Sequence, residues 1–337
     1  MTASTPSAAV LRPSAPAEEM DGRRDGRVLF TVEQKKEFLR QMLRIRRFEE
    51  RALAEFSKGR LFGTTHTCIG QEADCVGVLS ALEPPDVVFS NHRGHGHYLA
   101  RGGDMRRLAA ELMGRATGIC AGLGGSQHLH FGNFYSNGVQ GGIVPCAAGM
   151  ALAEKRLGSG AVVVVFLGDG TLGEGAVYES LNIASLWKLP VCFVLENNGY
   201  AQTTPVALNL AGDIAARFRA FGIETVELHT TDVLTIAAAS RRIVAGIRAR
   251  SEPRALIVHT YRFSPHSKGD DTRDPGEIES RRRFDPIPLL AGQLHWKDHD
   301  EALAAARADV DEAFRLAESD PWPDPSALAG PARPLQP

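Results

Sequence analysis

The chain has 337 residues, 43% of them hydrophobic and 23% charged, enough for one large α/β domain or two small ones with a sizeable core. A formal charge of -2 leaves neither sign in surplus, so nucleic acid and membrane surfaces are disfavoured as partners, and no apolar run approaches the roughly 18 to 20 residues that span a bilayer. Five cysteines (Cys68, Cys75, Cys120, Cys146, Cys192) are odd in number and lack CxxC spacing, which argues against a disulfide framework or a zinc site and fits a reducing cytoplasm.

Residues 1–27 are rich in Ala, Ser, Thr and Pro, with neither an apolar signal core nor an acid-free Arg pattern, and are expected to be a disordered tail. From Phe30 to about Gly59, the spacing of Phe38, Met42, Ile45, Phe48 and Leu53 predicts a long amphipathic helix. Short β-branched runs then alternate with helical stretches: 86–90, 105–114, 161–167, 178–186, 191–195, 234–247 and 255–260. That alternation predicts an α/β fold, a mainly parallel sheet with helices on both faces, in one domain over 28–325. The polar stretch 262–283 reads as an unusually long loop, and a Pro-rich tail is expected over 326–337.

Two runs stand out. AVVVVFL at 161–167 ends in Gly168-Asp169-Gly170, and VCFVLE at 191–196 ends in Asn197-Asn198-Gly199. In open α/β sheets, ligands bind at such strand ends. Glycines let the backbone approach a phosphate, and a helix from about Gly175 would aim its free N–H groups at the same place. The Asp169 carboxylate would repel a bare diphosphate, but Mg²⁺ between them reverses this, because it binds protein oxygens and phosphate oxygens together. Asn198 and the Tyr200 carbonyl offer further oxygens. Taken alone, Gly-Asp-Gly is equally a structural turn; no GxGxxG or GxxxxGK[ST] supports a nucleotide site.

The order strand, Gly-Asp-Gly, helix, strand, Asn-Asn resembles the motif of thiamine-diphosphate enzymes. From about Phe30 to Asp285 the chain is similar to the alpha subunits of the decarboxylating component of pyruvate, branched-chain 2-oxo acid and acetoin dehydrogenase complexes. The matching stretches are His66-Thr-Cys-Ile-Gly-Gln-Glu-Ala, His92-Arg-Gly-His-Gly-His, Gly124-Gly-Ser-Gln-His, Asn137-Gly-Val-Gln, Gly168 to Asn198, and Tyr261-Arg-Phe-Ser-Pro-His-Ser. The resemblance implies that Asp169, Asn198 and the Tyr200 carbonyl hold Mg²⁺ and that Arg93, beside His92, contacts the diphosphate. It implies that Gly138 and Gln140 meet the aminopyrimidine through backbone, and that His66 and His266 are active-site histidines. Without it, either histidine reads as a solvated loop residue. Glu72 most simply opens a helix; His95, His97, His128 and His130 have no firm role, and a zinc site built from them is disfavoured.

The resemblance further implies a beta-type partner, two alpha with two beta chains, because the carboxylate that activates the cofactor lies on that partner. A small 2-oxo acid or acetoin is the implied substrate, and a lipoyl arm on an acyltransferase core the implied acceptor. His92 and Ser264-Pro265 depart from pyruvate-type chains, where Tyr and His-Gly are usual; the His92-Arg-Gly-His-Gly-His form is more like acetoin-type alpha subunits, and the Ser264-Pro265-His266-Ser267-Lys268 loop keeps a split-subunit, non-oxidative carboligase or decarboxylase as the alternative.

Overall fold

Thr31 starts the first helix, α1 (Val32–Ser57), with a reciprocal cap: its hydroxyl accepts from the Gln34 N–H, while the Gln34 side chain accepts from the Thr31 N–H. In this computed structural model, which describes residues 30–267, 269 and 271–328, the stripe Phe38, Met42, Ile45, Phe48 and Ala52 is buried. It packs on a helix from the other end of the chain, Trp296–Ser319, where the Phe48 and Phe314 rings meet with centroids 5.2 Å apart. Leu53 falls off this stripe and packs against Ile69, Tyr261 and Phe263. The expected tail over 1–27 lies outside the described residues, as does the Pro-rich end beyond Leu328; residues 326–328 finish a short helix, Pro325–Leu328.

Among the described residues the strands are β1 (Val87–Ser90), β2 (His130–Phe131), β3 (Phe134–Ser136), β4 (Val163–Gly168), β5 (Val191–Asn197), β6 (Tyr200–Ala201), β7 (Thr204–Pro205), β8 (Glu224–Leu228) and β9 (Arg254–His259). All but β6 and β7 form one sheet, ordered β2-β3-β1-β4-β5-β9-β8 and parallel except for the β2-β3 pair. This is the expected α/β architecture. Along β4, Val163, Val165 and Leu167 enter one apolar cluster while Val164 and Phe166 enter the other. The continuous apolar run thus follows from two covered faces, each fully buried Val or Leu contributing roughly 1.5–3 kcal/mol.

One face is covered by α1, α2 (Glu72–Leu79) and the helix Val233–Arg250; the other by α5 (Ile143–Leu157) and α6 (Gly175–Leu186). Between α2 and α5, α3 (Gly94–Ala100) follows β1 and α4 (Met105–Leu112) follows α3. The stretch 262–283, expected as a long loop, contains a helix, Pro275–Arg281. Asp274 caps it by accepting from the Glu277 N–H, and Pro275 sits where no donor is needed. Glu72 opens α2 as expected, but its carboxylate grips Arg46, which also reaches Asp285. No described helix is long and apolar enough to cross a membrane.

Candidate active site

Register decides where the site lies. Gly168 of β4 pairs with Glu196 of β5, so the two strands end within one residue of each other and bring Asp169 and Asn198 to the same end of the sheet. The ends of β1, β3 and β9 add Asn91 to Arg93, Gly138 to Gln140, and the loop bearing His266. Together they line a cleft of about 450 Å³ that contains His66, His92, Arg93, Gly138, Gln140, Gly168, Asp169, Gly170, Asn198, Tyr200 and His266. Every site residue expected from the sequence therefore borders one cavity. Lys268, beside His266, lies outside the described residues.

Asp169 begins a 3-10 turn, Asp169–Gly173, ahead of α6. It is 1% exposed; Oδ1 accepts from the Gly170 N–H at 3.0 Å, and Oδ2 is buried with no hydrogen-bond partner. Burial pushes its pKa up to about 6, against the opposing pull of the Gly170 and Gly199 N–H groups and Arg262. An orphaned carboxylate oxygen inside a cleft suits a hard cation. The Asn198 amide oxygen accepts from the Tyr200 N–H at 3.1 Å, and the Tyr200 hydroxyl donates to Glu277 at 2.8 Å, tying this turn to the Pro275–Arg281 helix.

Gly168 has ordinary extended backbone, φ -89 and ψ 159, so no strain demands glycine there. A Cβ at Gly168 would meet nothing within 4 Å of the protein and would jut into the cleft, where a ligand needs the room. At Gly170 the constraint is the protein itself, because a Cβ would lie 2.7 Å from the Ala201 Cβ. The residues present thus match a Mg²⁺ and diphosphate seat.

Arg93 is 4% exposed and forms no ion pair with a carboxylate among the described residues. Its guanidinium donates to the Thr67 carbonyl at 2.7 Å and to His266 Nδ1 at 3.0 Å. Burial pushes its pKa down to about 10, which still leaves a cation at neutral pH. Arginine can only donate, so His266 Nδ1 is an acceptor here and its Nε2 carries the hydrogen. His66 Nδ1 takes the Gln127 amide at 3.2 Å in the same sense. The rings of His66, His92 and His266 crowd together, with centroids 4.7, 4.8 and 5.3 Å apart. Burial first, then Arg93 and His66, hold the His92 pKa well below the ordinary histidine range, so that ring is neutral.

Gln71, Asn91, Gln127, Glu174 and Glu196 also line the cleft, although the sequence reading assigned them no role. Two of them flank assigned motifs, Gln71 in Gly-Gln-Glu and Asn91 before His92, but nothing local says which way an amide points. The uncommitted histidines stay out. His95 is buried between Glu49 at 2.8 Å and Ser126 at 3.0 Å, while His128 and His130 are exposed.

A family model described as Dehydrogenase E1 component matches residues 40–326. The chain belongs to the dehydrogenase E1 component family. It is 40% identical over 300 residues to the pyruvate dehydrogenase E1 component subunit alpha of Zymomonas mobilis, covering 85% of each chain. With the alpha subunit of the acetoin:2,6-dichlorophenolindophenol oxidoreductase of Cupriavidus necator it shares 36% over 302 residues, 86% of this chain and 91% of that one. The somatic human pyruvate dehydrogenase E1 alpha subunit matches at 34% over 313 residues, 88% of this chain and 78% of that one. E1 components are thiamine-diphosphate-dependent oxidoreductases that work with a beta subunit, and this chain is an alpha-type subunit of that class. The carboligase alternative gains no support from these matches.

Proposed function

We propose that this alpha subunit holds thiamine diphosphate through Mg²⁺, with Asp169, Asn198 and the Tyr200 carbonyl on the cation and Arg93 on the diphosphate. The observation that carries this reading is the unpartnered Asp169 Oδ2, buried at the strand ends in one cleft with the Arg93 guanidinium, which forms no ion pair among the described residues. A cation meets the first need and a phosphate the second. The Gly138 and Gln140 backbone takes the aminopyrimidine, and His92 stands as a neutral ring beside Arg93.

When bound, thiamine diphosphate supplies the addition to a carbonyl and the electron sink for bond cleavage. The chain's own part is to orient it and to handle protons. His66 and His266 each present Nε2 with its hydrogen, suited to donate to an oxygen that gains charge during reaction. The substrate is a small 2-oxo acid, decarboxylated before its acyl group passes to a lipoyl arm of an acyltransferase core, or acetoin. Two alpha and two beta chains complete the sites. The cytoplasm suits five cysteines none of which is paired with another.

The test is calorimetric titration of thiamine diphosphate, with and without Mg²⁺, into the chain co-expressed with its beta-type partner. A panel of 2-oxo acids and acetoin with a dye acceptor follows. Mg²⁺-dependent binding with dye reduction is expected, and the panel names the substrate. Binding that ignores Mg²⁺ would overturn the assignment of Asp169 and Asn198.

A further inference from the structure

Behind the cleft, and outside its lining, lies His97 on α3, fully buried. Four elements meet on its ring. Nδ1 lies 2.8 Å from the Ser90 hydroxyl at the end of β1, the ring centroid lies 3.8 Å from that of Phe166 of β4, and Nε2 stands 3.6 Å from Glu196 Oε1 of β5, an ion-pair distance without a hydrogen bond. Cys75 of α2 completes the surround. Burial disfavours a charged ring, but Cys75 and Glu196 more than offset this and raise its pKa to about 10. Asp74, also nearby, has its pKa pushed well above the carboxylate range, by burial first and then by Glu196 and Cys75. Glu196 is the carboxylate that faces His97 Nε2 from β5.

Glu196 in turn faces two amides. Its Oε2 accepts from Asn91 Nδ2 at 2.6 Å and its Oε1 from Gln71 Nε2 at 3.4 Å. A carboxylate cannot donate, so both amides must present their NH₂ to it. Their oxygens then point the other way: Asn91 Oδ1 accepts from the Arg93 N–H at 2.9 Å, and Gln71 Oε1 is left as a buried acceptor without a partner. Gln71, Asn91, Glu196 and Arg93 all line the cleft; His97 does not.

We propose that His97 is a positioning residue: by pinning Glu196 it fixes which way the Asn91 and Gln71 amides point, and with them the seat of Arg93. The chain of contacts runs from a buried imidazole through one carboxylate and one amide to the backbone of the residue assigned to the diphosphate. A metal ion shared by Cys75, His97 and Glu196, whose donor atoms lie within 4.8 Å of one another, is not required. Both Glu196 oxygens are already engaged by amides, and Cys75 Sγ sits 3.6 Å from the Gln71 carbonyl. The proposal rests on reading the cleft as the thiamine diphosphate site.

The experiment uses the assembled alpha and beta enzyme. Thiamine diphosphate affinity is measured with Mg²⁺ in wild type, His97→Phe, Glu196→Gln and the double variant, beside thermal melts and zinc content. Phe keeps the contact with Phe166 and removes both ring nitrogens. The expected result is an affinity loss of roughly 10-fold or more in each single variant, the effect typical of losing a partner behind a ligand, and no further loss in the double variant, because both act through one chain. Asn91→Ala reports the same loss without touching the buried histidine, which keeps the test open should His97→Phe not fold. Unchanged affinity with only a lowered melting temperature, additive losses, or one zinc per wild-type chain that vanishes in His97→Phe would each overturn the proposal. Failure of the wild-type enzyme to bind the cofactor would sink the reading of the cleft instead.

Discussion

Asp169 and Glu111 are each 1% exposed, yet they are treated in opposite ways. Glu111, on α4, accepts from four backbone N–H groups: Cys120 and Gly122 on Oε2, Gly124 and Gly125 on Oε1, at 2.6 to 3.1 Å. Asp86, at the opposite end of the sheet from the cleft, is equally saturated, by the Glu83 and Val162 N–H groups and by both terminal nitrogens of Arg248. Asp169 accepts one hydrogen bond, from the Gly170 N–H, with the Gly199 N–H nearby, and its Oδ2 has no hydrogen-bond partner. Burial alone therefore does not mark function, nor does an unpartnered oxygen alone, since both oxygens of buried Asp74 lack a partner; what sets Asp169 apart is an unpartnered oxygen on a residue that lines the cleft.

Substitution should separate the two kinds of carboxylate. The largest effect is expected from Glu111→Ala, which strands four backbone donors and should cost at least ~3 kcal/mol, read as lost yield or a collapsed thermal melt. A melt within a few degrees of wild type, against the ~2–8 °C that each kcal/mol is worth, would show that water replaces the carboxylate there. Asp169→Ala should do the reverse. Its melting temperature holds or rises, while Mg²⁺-dependent thiamine diphosphate affinity falls beyond the roughly 100-fold that a lost partner behind a ligand costs.

His266→Ala sharpens the contrast inside the cleft: turnover with a dye or lipoyl acceptor should slow by roughly 100-fold or more while cofactor affinity changes far less. An equal fall in both would make His266 a binding residue only. The smallest effect concerns pH. His97, faced by Ser90, Asp74, Cys75 and Glu196, is raised to about 10 from 6.5. Its charge therefore stabilises the fold fully below about pH 6.5, and that contribution fades as pH rises through 10. Wild type should lose its melting-temperature advantage over His97→Phe across that window; a constant gap would mean the ring is uncharged.

The sequence announced the middle of the sheet plainly, because β4 and β5 are apolar on both faces and end in Gly-Asp-Gly and Asn-Asn-Gly. It hid β3 and β8, of which β3 is three residues long and β8 alternates Glu224, Val226, Leu228 with little apolar weight. It also hid α5, whose Pro145 reads as a breaker although a proline in the first turn costs no helical bond. The helix Pro275–Arg281 was missed although Asp274-Pro275 is a start signal. In the site, Asp169 and Asn198 were legible from the strand-end motif, whereas His66, Arg93, Gly138, Gln140 and His266 were reached only through the resemblance; all of them border the cleft. The layer behind them was legible from neither: whether Gln71, Asn91 and Glu196 face the cleft or the core depends on which strand lies beside which, and no local pattern states that.

The register of β4 and β5 sets a tolerance. Each residue of a strand advances about 3.3 Å, so a slip of two residues, the smallest that keeps every side chain on its own face, would shift Asn198 some ~6.6 Å relative to Asp169. A Mg²⁺ ion reaches its ligands at about 2.1 Å, so two ligands on opposite sides of it stand little more than ~4 Å apart. The valines and leucines that lock the register, remote from any chemistry, therefore act as the gauge block against which the proposed cation seat is cut.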